Sequence, residues 1–168
     1  MNNQKTAVVI IIMGVSGSGK STIGKLLSKE LSIEFYDGDD FHPKENKEKM
    51  KAGHPLNDHD RAGWLAAIHD FALQHLSKQQ SCIIACSALK KSYRDLLRKD
   101  IEDQLQMVYL EGDFQTIQTR LTQRKAHFMP ASLLKSQFDT LEPPQNAIKV
   151  NLRLRPEDIV KAIVRQLG

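Results

Sequence analysis

Gly14-Val15-Ser16-Gly17-Ser18-Gly19-Lys20-Ser21 satisfies the pattern G-x-x-x-x-G-K-[ST], and its setting in the chain decides the fold. The apolar, β-branched run Ala7 to Met13 precedes it and reads as a strand. Ile23, Leu26, Leu27 and Leu31 follow at helical spacing and give an amphipathic helix. Glycines open backbone conformations closed to other residues, so successive N–H groups can surround phosphates, and the helix N-terminus adds partial positive charge. Residues 14–21, with Thr22 in the opening turn of the helix, are therefore expected to bind ATP. Lys20 would reach the β- and γ-phosphates, and Ser21 would place its hydroxyl on Mg²⁺. A glycine-rich turn with an incidental lysine would match in a chain of this length only on the order of 1% of the time at average residue frequencies. Before phosphate arrives, Lys20 is expected to face solvent.

Working outward, short β-branched runs alternate with longer amphipathic stretches, the pattern of a parallel sheet covered by helices on both faces. Strands are expected at Ala7–Met13, Ile33–Tyr36, Ser81–Cys86, Gln106–Leu110 and Lys149–Leu152. Helices are expected after the glycine loop, around Trp64–Leu76, Tyr93–Lys99 and Phe114–Thr122, and from Pro156 onward. Five strands and their helices make one α/β domain over residues 1–168. Polar residues with Pro130, Pro143 and Pro144 interrupt the pattern between Lys125 and Gln145, so a mobile lid is expected at about 123–145.

Composition narrows the function. The 168 residues are 40% hydrophobic and 26% charged, enough for one core and too few for two ordinary domains. The net charge of +4 arises from 24 basic and 20 acidic residues without a basic block, which suits anionic ligands and does not require nucleic acid. Only 6% of the residues are aromatic, and no nucleic-acid-reading signature is present, so a nucleic-acid partner is not expected. Cys82 and Cys86 have no matching ligand pair for zinc and read as core residues of a reducing compartment. The Ala7–Met13 run is far shorter than a bilayer span and lacks the flanks of a signal peptide. No membrane partner and a cytoplasmic location are expected.

Beyond the second strand stands Asp37-Gly38-Asp39-Asp40, which is either a turn ending the strand or an acidic cluster facing the γ-phosphate. On the second reading Asp39 accepts the proton of an attacking hydroxyl and Asp37 orients Mg²⁺-bound water. If extension persists past Gly38, Asp37 and Asp39 share a direction and Asp40 points elsewhere. His42, Lys49, Asp58, Asp60 and Arg61 follow. Asn57 and Asp58 are each accounted for as an N-cap alone, whereas the planar fork of Arg61 suits a substrate carboxylate. Ser87, Lys90, Lys91 and Arg94 put a hydroxyl and cations after the third strand. Arg120 and Arg124 either complement a helix C-terminus or serve the nucleotide, Arg120 against adenine and Arg124 on the transferring phosphoryl group.

These residues resemble the bacterial gluconokinases. The glycine loop and Asp37-Gly38-Asp39-Asp40 with His42-Pro43 resemble the start of that family. Asn46, Lys49-Met50, Gly53, Pro55-Leu56, Asp58, Asp60-Arg61 and Trp64-Leu65 follow its pattern. So do Cys86-Ser87-Ala88-Leu89-Lys90-Lys91, Tyr93-Arg94-Asp95, Gly112-Asp113, Arg120-Leu121, Arg124, His127-Phe128-Met129-Pro130 and Gln137-Phe138. Gly63 departs from a proline expected before the tryptophan. The resemblance implies ATP-dependent phosphorylation of D-gluconate, a three-layer fold similar to nucleoside monophosphate and shikimate kinases, and a homodimer. It supports Asp39 as the base, and His42, Arg61, Ser87, Lys90 and His127 fall among the expected substrate contacts. The alternatives are a kinase of another small hydroxy acid such as shikimate, and a non-catalytic nucleotide-binding switch.

Overall fold

The central strand of the sheet is apolar throughout, and the architecture follows from that. In the computed structural model, which describes residues 6–123 and 131–168, β1 (Val9–Met13) is buried at every position. A strand with no polar face must be covered on both sides. Val9, Ile11 and Met13 join one apolar cluster while Ile10 and Ile12 join the other, as period-two alternation requires.

Chain order is β1, α1 (Lys20–Leu31), β2 (Glu34–Asp37), α2 (Lys44–Lys51), α3 (Asp58–Ser77), β3 (Cys82–Ala85) and α4 (Lys91–Arg98). There follow β4 (Leu105–Glu111), α5 (Phe114–Gln123), α6 (Ala131–Thr140), β5 (Ile148–Asn151) and α7 (Pro156–Leu167). The five strands form one parallel sheet in the order β2-β3-β1-β4-β5. Trp64, Leu65 and Ile68 of α3 and Tyr93 and Leu97 of α4 pack on one face. Ile23 and Leu27 of α1, Ile117 of α5, Leu134 of α6 and Ile159 and Ile163 of α7 cover the other. The three-layer α/β fold expected from the sequence is thereby present. Cys82 and Cys86 are buried free thiols pushed up to about 12 by burial, in keeping with core residues. No described helix is long and apolar enough to cross a membrane.

The sequence pattern missed two helices. α2 is short and strongly polar. α6 lies inside the expected lid, with Leu133 and Leu134 buried and the Phe138 ring 5.5 Å from that of Phe114. Its apolar spacing is present at Leu134, Phe138 and Leu141, but the neighbouring prolines obscured it. Residues 124–130 of the expected lid lie outside the described residues.

Gly63 leaves the start of α3 undisturbed. Asn57 is the N-cap, its side chain accepts from Asp60 N, and the Asp60 carboxylate accepts from Asn57 N in a reciprocal capping box. A Cβ at Gly63 would meet nothing within 4 Å. Gly63→Ala is expected to stabilise the protein by about 0.5–1 kcal/mol, the helix-interior cost of glycine. Equilibrium urea unfolding checks this, and a destabilised variant would contradict it.

Candidate active site

The strand order brings three loops together. Because β2, β3 and β1 are neighbours, the glycine loop after β1, the acidic turn after β2 and the Ser87 loop after β3 open at one carboxyl-terminal edge. Gly14 N donates to the Ser87 carbonyl at 3.4 Å, directly linking two of them. Lys20, Asp39, His42, Arg61, Ser87 and Gln137 line a single cleft of about 660 Å³ there.

The glycine loop has the backbone expected of a phosphate cradle. Gly14, Gly17 and Gly19 take positive φ of 154°, 83° and 91°. Gly19 precedes α1 without any side-chain cap, which leaves the first-turn N–H donors open. The Ser18 hydroxyl is buried and has no hydrogen-bond partner among the described residues. Thr22 is exposed in the first turn of α1. Lys20 does not stand free in solvent as the sequence suggested. Its Nζ donates to the carbonyls of Gly14 and Val15, both at 3.1 Å, so the half-buried ammonium is held by its own loop. Burial lowers its pKa, opposed chiefly by the carboxylate charge of Asp39 and to a lesser degree by that of Asp37.

The Ser21 hydroxyl donates to Asp37 Oδ2 at 2.9 Å. This hydroxyl–carboxylate pair beside Lys20 fits a hard cation such as Mg²⁺. No cluster of three or more His, Cys, Asp or Glu side chains able to hold a metal occurs among the described residues. The donors therefore fit an ion whose remaining ligands are phosphate oxygens and water, the usual mode for Mg²⁺.

The acidic turn departs from the expected geometry. Extension stops at Asp37, and Gly38–Phe41 is a single 3₁₀ turn, so strand alternation does not order the three carboxylates. Asp37 caps this turn by accepting from Asp39 N at 2.9 Å. The turn sits hard against β3: a Cβ at Gly38 would lie 2.1 Å from the Ala85 carbonyl oxygen. Trp64 Nε1 donates to the Gly38 carbonyl at 2.7 Å and fixes the turn from the other side. Asp39 remains in the cleft with its side chain 81% exposed. The concave surroundings still crowd its carboxylate and raise its pKa. Lys20 opposes that rise, whereas Asp37 and Asp40 add to it.

His42 is buried and stacks on Trp64 with centroids 4.1 Å apart and planes 16° from parallel. Asn46 Nδ2 donates to the Asp60 carbonyl at 2.8 Å and lies 3.2 Å from His42 Nδ1. Since that carbonyl can only accept, the amide nitrogen is fixed as a donor and His42 Nδ1 must accept. The neutral ring then carries its proton on Nε2, which faces Asp39 Oδ1 at 3.9 Å. Burial, with Lys47 and Arg61 nearby, pushes the His42 pKa down to about 4.

The remaining expected site residues divide. Arg61 lines the cleft and its Nη1 donates to the Tyr93 hydroxyl at 3.0 Å. Lys90 is engaged elsewhere, paired with Asp58 at 3.0 Å, and lines a neighbouring polar depression instead of this cleft. The structure thus places the expected substrate contact Lys90 beside Asp58, outside the cleft lining that holds Lys20 and Arg61. The Arg120 guanidinium donates to the Leu152 carbonyl just beyond β5. Arg124 and His127 lie outside the described residues. Asp60 and Lys49 pair at 2.7 Å and serve the α3 cap. Buried Arg94 donates to the carbonyls of Ala88, Leu89 and Glu142, holding the β3–α4 loop.

Gln137 was visible in the sequence only as part of a family pattern. Its Oε1 accepts from Ser16 N at 2.6 Å and its Nε2 donates to Ser16 Oγ at 2.9 Å, joining α6 to the glycine loop.

The family model described as shikimate kinase matches residues 16–163. A probable gluconokinase of Mus musculus is 45% identical over 95% of this chain and 97% of its own length. The chain belongs to the gluconokinase family. The thermosensitive gluconokinase of Escherichia coli K12 is 49% identical over 80% of this chain and 72% of its own. Among solved structures, a gluconokinase from Sinorhizobium meliloti 1021 superposes with TM-score 0.87 at 39% identity, covering 96% of this chain and 92% of its own. A shikimate kinase from Aquifex aeolicus, at 20% identity and TM-score 0.66, shares the fold. In this member of the gluconokinase family the glycine loop (the P-loop, residues 14–21), the acidic turn and Arg61 all face one cleft.

The histidine yields a pH prediction. With a folded pKa near 4 against about 6.5 unfolded, the unfolded chain binds more protons between those values, so stability is complete above about pH 6.5 and falls as pH drops toward 4. The loss over that window is expected to be roughly 2–3 kcal/mol and to shrink in His42→Gln. Chemical denaturation from pH 7 to 4 measures it. Equal pH slopes for both proteins would show that His42 is not the titrating group.

Proposed function

We propose that the protein transfers the γ-phosphoryl group of ATP to the 6-hydroxyl of D-gluconate, giving 6-phospho-D-gluconate and ADP. The observation that carries the reading is the meeting of Lys20, Asp39 and Arg61 in one cleft of a gluconokinase-family chain. ATP phosphates would occupy the cradle of residues 14–21, where the open N–H groups and Lys20 supply positive charge. On arrival of phosphate, Lys20 would exchange its loop carbonyls for phosphate oxygens. Arg120 is assigned to the nucleotide side, beside the end of β5.

Gluconate would lie across the cleft with its carboxylate toward Arg61 and its 6-hydroxyl toward Asp39. As the O6–P bond forms and the bond to the ADP oxygen breaks, the hydroxyl proton passes to the Asp39 carboxylate. A raised pKa makes Asp39 a better proton acceptor than an ordinary carboxylate. Mg²⁺, placed by Ser21 and Asp37, would neutralise charge on the β- and γ-phosphate oxygens when bound. His42 offers an Nε2 proton beside Asp39, and Ser87 offers a hydroxyl at the same edge. The protein's work is largely positioning and charge stabilisation, since phosphoryl transfer needs little covalent help. A cytoplasmic location and assembly as a homodimer complete the reading.

A coupled ADP-release assay across sugar acids and shikimate tests the function, with gluconate expected to give the highest kcat/KM. Preference for shikimate would overturn the assignment. Asp39→Asn keeps the shape and removes the proton acceptor, so kcat should fall roughly 10²- to 10⁴-fold with ATP affinity retained. Near-normal turnover in that variant would move the base to another carboxylate. Lys20→Ala should abolish transfer in a folded protein, and wild-type turnover would remove the P-loop from the mechanism.

A further inference from the structure

Arg61 is held in an unusual way for a cation lining an anion-accepting cleft. Among the described residues no carboxylate forms an ion pair with it, and its one side-chain hydrogen bond runs from Nη1 to the Tyr93 hydroxyl at 3.0 Å. Tyr93 is buried at 4% exposure, its ring packed in the apolar cluster beneath α3 and α4. The guanidinium carbon stands 5.4 Å from the centroid of that ring. The same hydroxyl donates a short hydrogen bond to Asp58 Oδ1. Lys90 Nζ pairs with Asp58 at 3.0 Å.

The polarity of this chain is forced by valence. A phenol has one proton, and the Asp58 carboxylate takes it, so only oxygen lone pairs remain to meet Arg61. Asp58 pairs directly with Lys90 and acts on Arg61 only across the tyrosine hydroxyl. Arg61 is therefore tethered by a neutral oxygen. A carboxylate in that position would neutralise the guanidinium and compete with an incoming anion, whereas the tyrosine fixes the fork and leaves its charge and other N–H donors available. Asp58 stands at the first residue of α3 and Tyr93 in the first turns of α4, so the relay spans two helices.

We propose that Tyr93 is a positioning residue that sets the protein's preference for a carboxylate-bearing substrate by orienting Arg61 as a cation with no carboxylate directly paired to it, with Asp58 and Lys90 fixing the tyrosine in turn. This rests on the assignment of Arg61 to the carboxylate end of gluconate. Its consequence is narrower than a loss of activity: discrimination between an acid and its neutral analogue should depend on one hydroxyl that touches neither substrate nor nucleotide.

The experiment compares kcat/KM for D-gluconate and D-gluconamide, which share every hydroxyl and differ in the charge of one end. Tyr93→Phe keeps the buried ring, and thermal unfolding confirms its fold. The gluconate-to-gluconamide ratio is expected to fall about tenfold, the scale of a hydrogen bond to a charged group. The loss should appear in the gluconate KM, with kcat and the ATP KM within about twofold. Arg61→Met should abolish the discrimination, and adding Tyr93→Phe to it should change the ratio no further. An unchanged ratio in Tyr93→Phe, or equal loss for both substrates, would overturn the proposal, as would a further drop in the double variant. Should Tyr93→Phe fail to fold, 3-fluorotyrosine at position 93 weakens the oxygen as an acceptor while keeping the ring, and the same ratio decides. Failure of the functional reading looks different: the wild-type protein would then phosphorylate neither gluconate nor gluconamide.

Discussion

The close approach of Gly38 to the carbonyl of Ala85 is the contact on which the cleft depends. A side chain there would lie 2.1 Å from that oxygen, so only glycine lets the acidic turn settle onto the end of β3. Parallel pairing sets Asp37 opposite Ala85 and Ala85 opposite Ile12, which aligns the ends of β2, β3 and β1. The turn then carries Asp37 to Ser21 and leaves Asp39 in the cleft with Lys20. The Trp64 hydrogen bond and the His42 stack hold it from the α3 side. Apolar packing thus fixes the position of polar groups whose own hydrogen bonds are few.

The electrostatics of the cleft are arranged around opposed tendencies. Burial of Lys20 and crowding of the Asp39 carboxylate in the cleft disfavour the charged form of each, while each favours ionisation of the other. His42, the third titratable group at this point, is kept neutral by burial and its cationic neighbours. The cleft therefore places one cation and one carboxylate at its reacting end, with a neutral donor between Asp39 and the indole of Trp64. Charges and dipoles fixed in advance need not reorganise when a phosphoryl group moves.

Most of the fold could be read from the sequence because its strands are short, β-branched and bounded by recognisable turns. The glycine loop set the first strand and helix, and all five strands lie within a residue or two of the apolar runs. α6 was missed because proline punctuation on both sides outweighed the spacing of Leu134, Phe138 and Leu141. At the site, the residue types in and after the acidic turn were legible, but their bonding was not. Nothing in a linear pattern shows that a 3₁₀ turn replaces extension after Asp37, or that Asp58 and not the cleft receives Lys90. Tyr93 and Gln137 act through contacts across 35 and 121 positions of chain, beyond the reach of local periodicity.

That last span bears on when the protein becomes competent during its synthesis. β1 pairs with β3 and with β4, so the strand carrying the glycine loop cannot complete its hydrogen bonding until more than half the chain has emerged. The Ser16 backbone then waits for Gln137, near the end of α6. A nascent chain halted before that helix holds the entire phosphate-binding motif in its sequence, yet lacks the amide that braces it. The glycine loop is thus encoded ahead of α1 but braced from α6, 121 positions further along, so its local motif depends on a contact that closes late in the order of the chain.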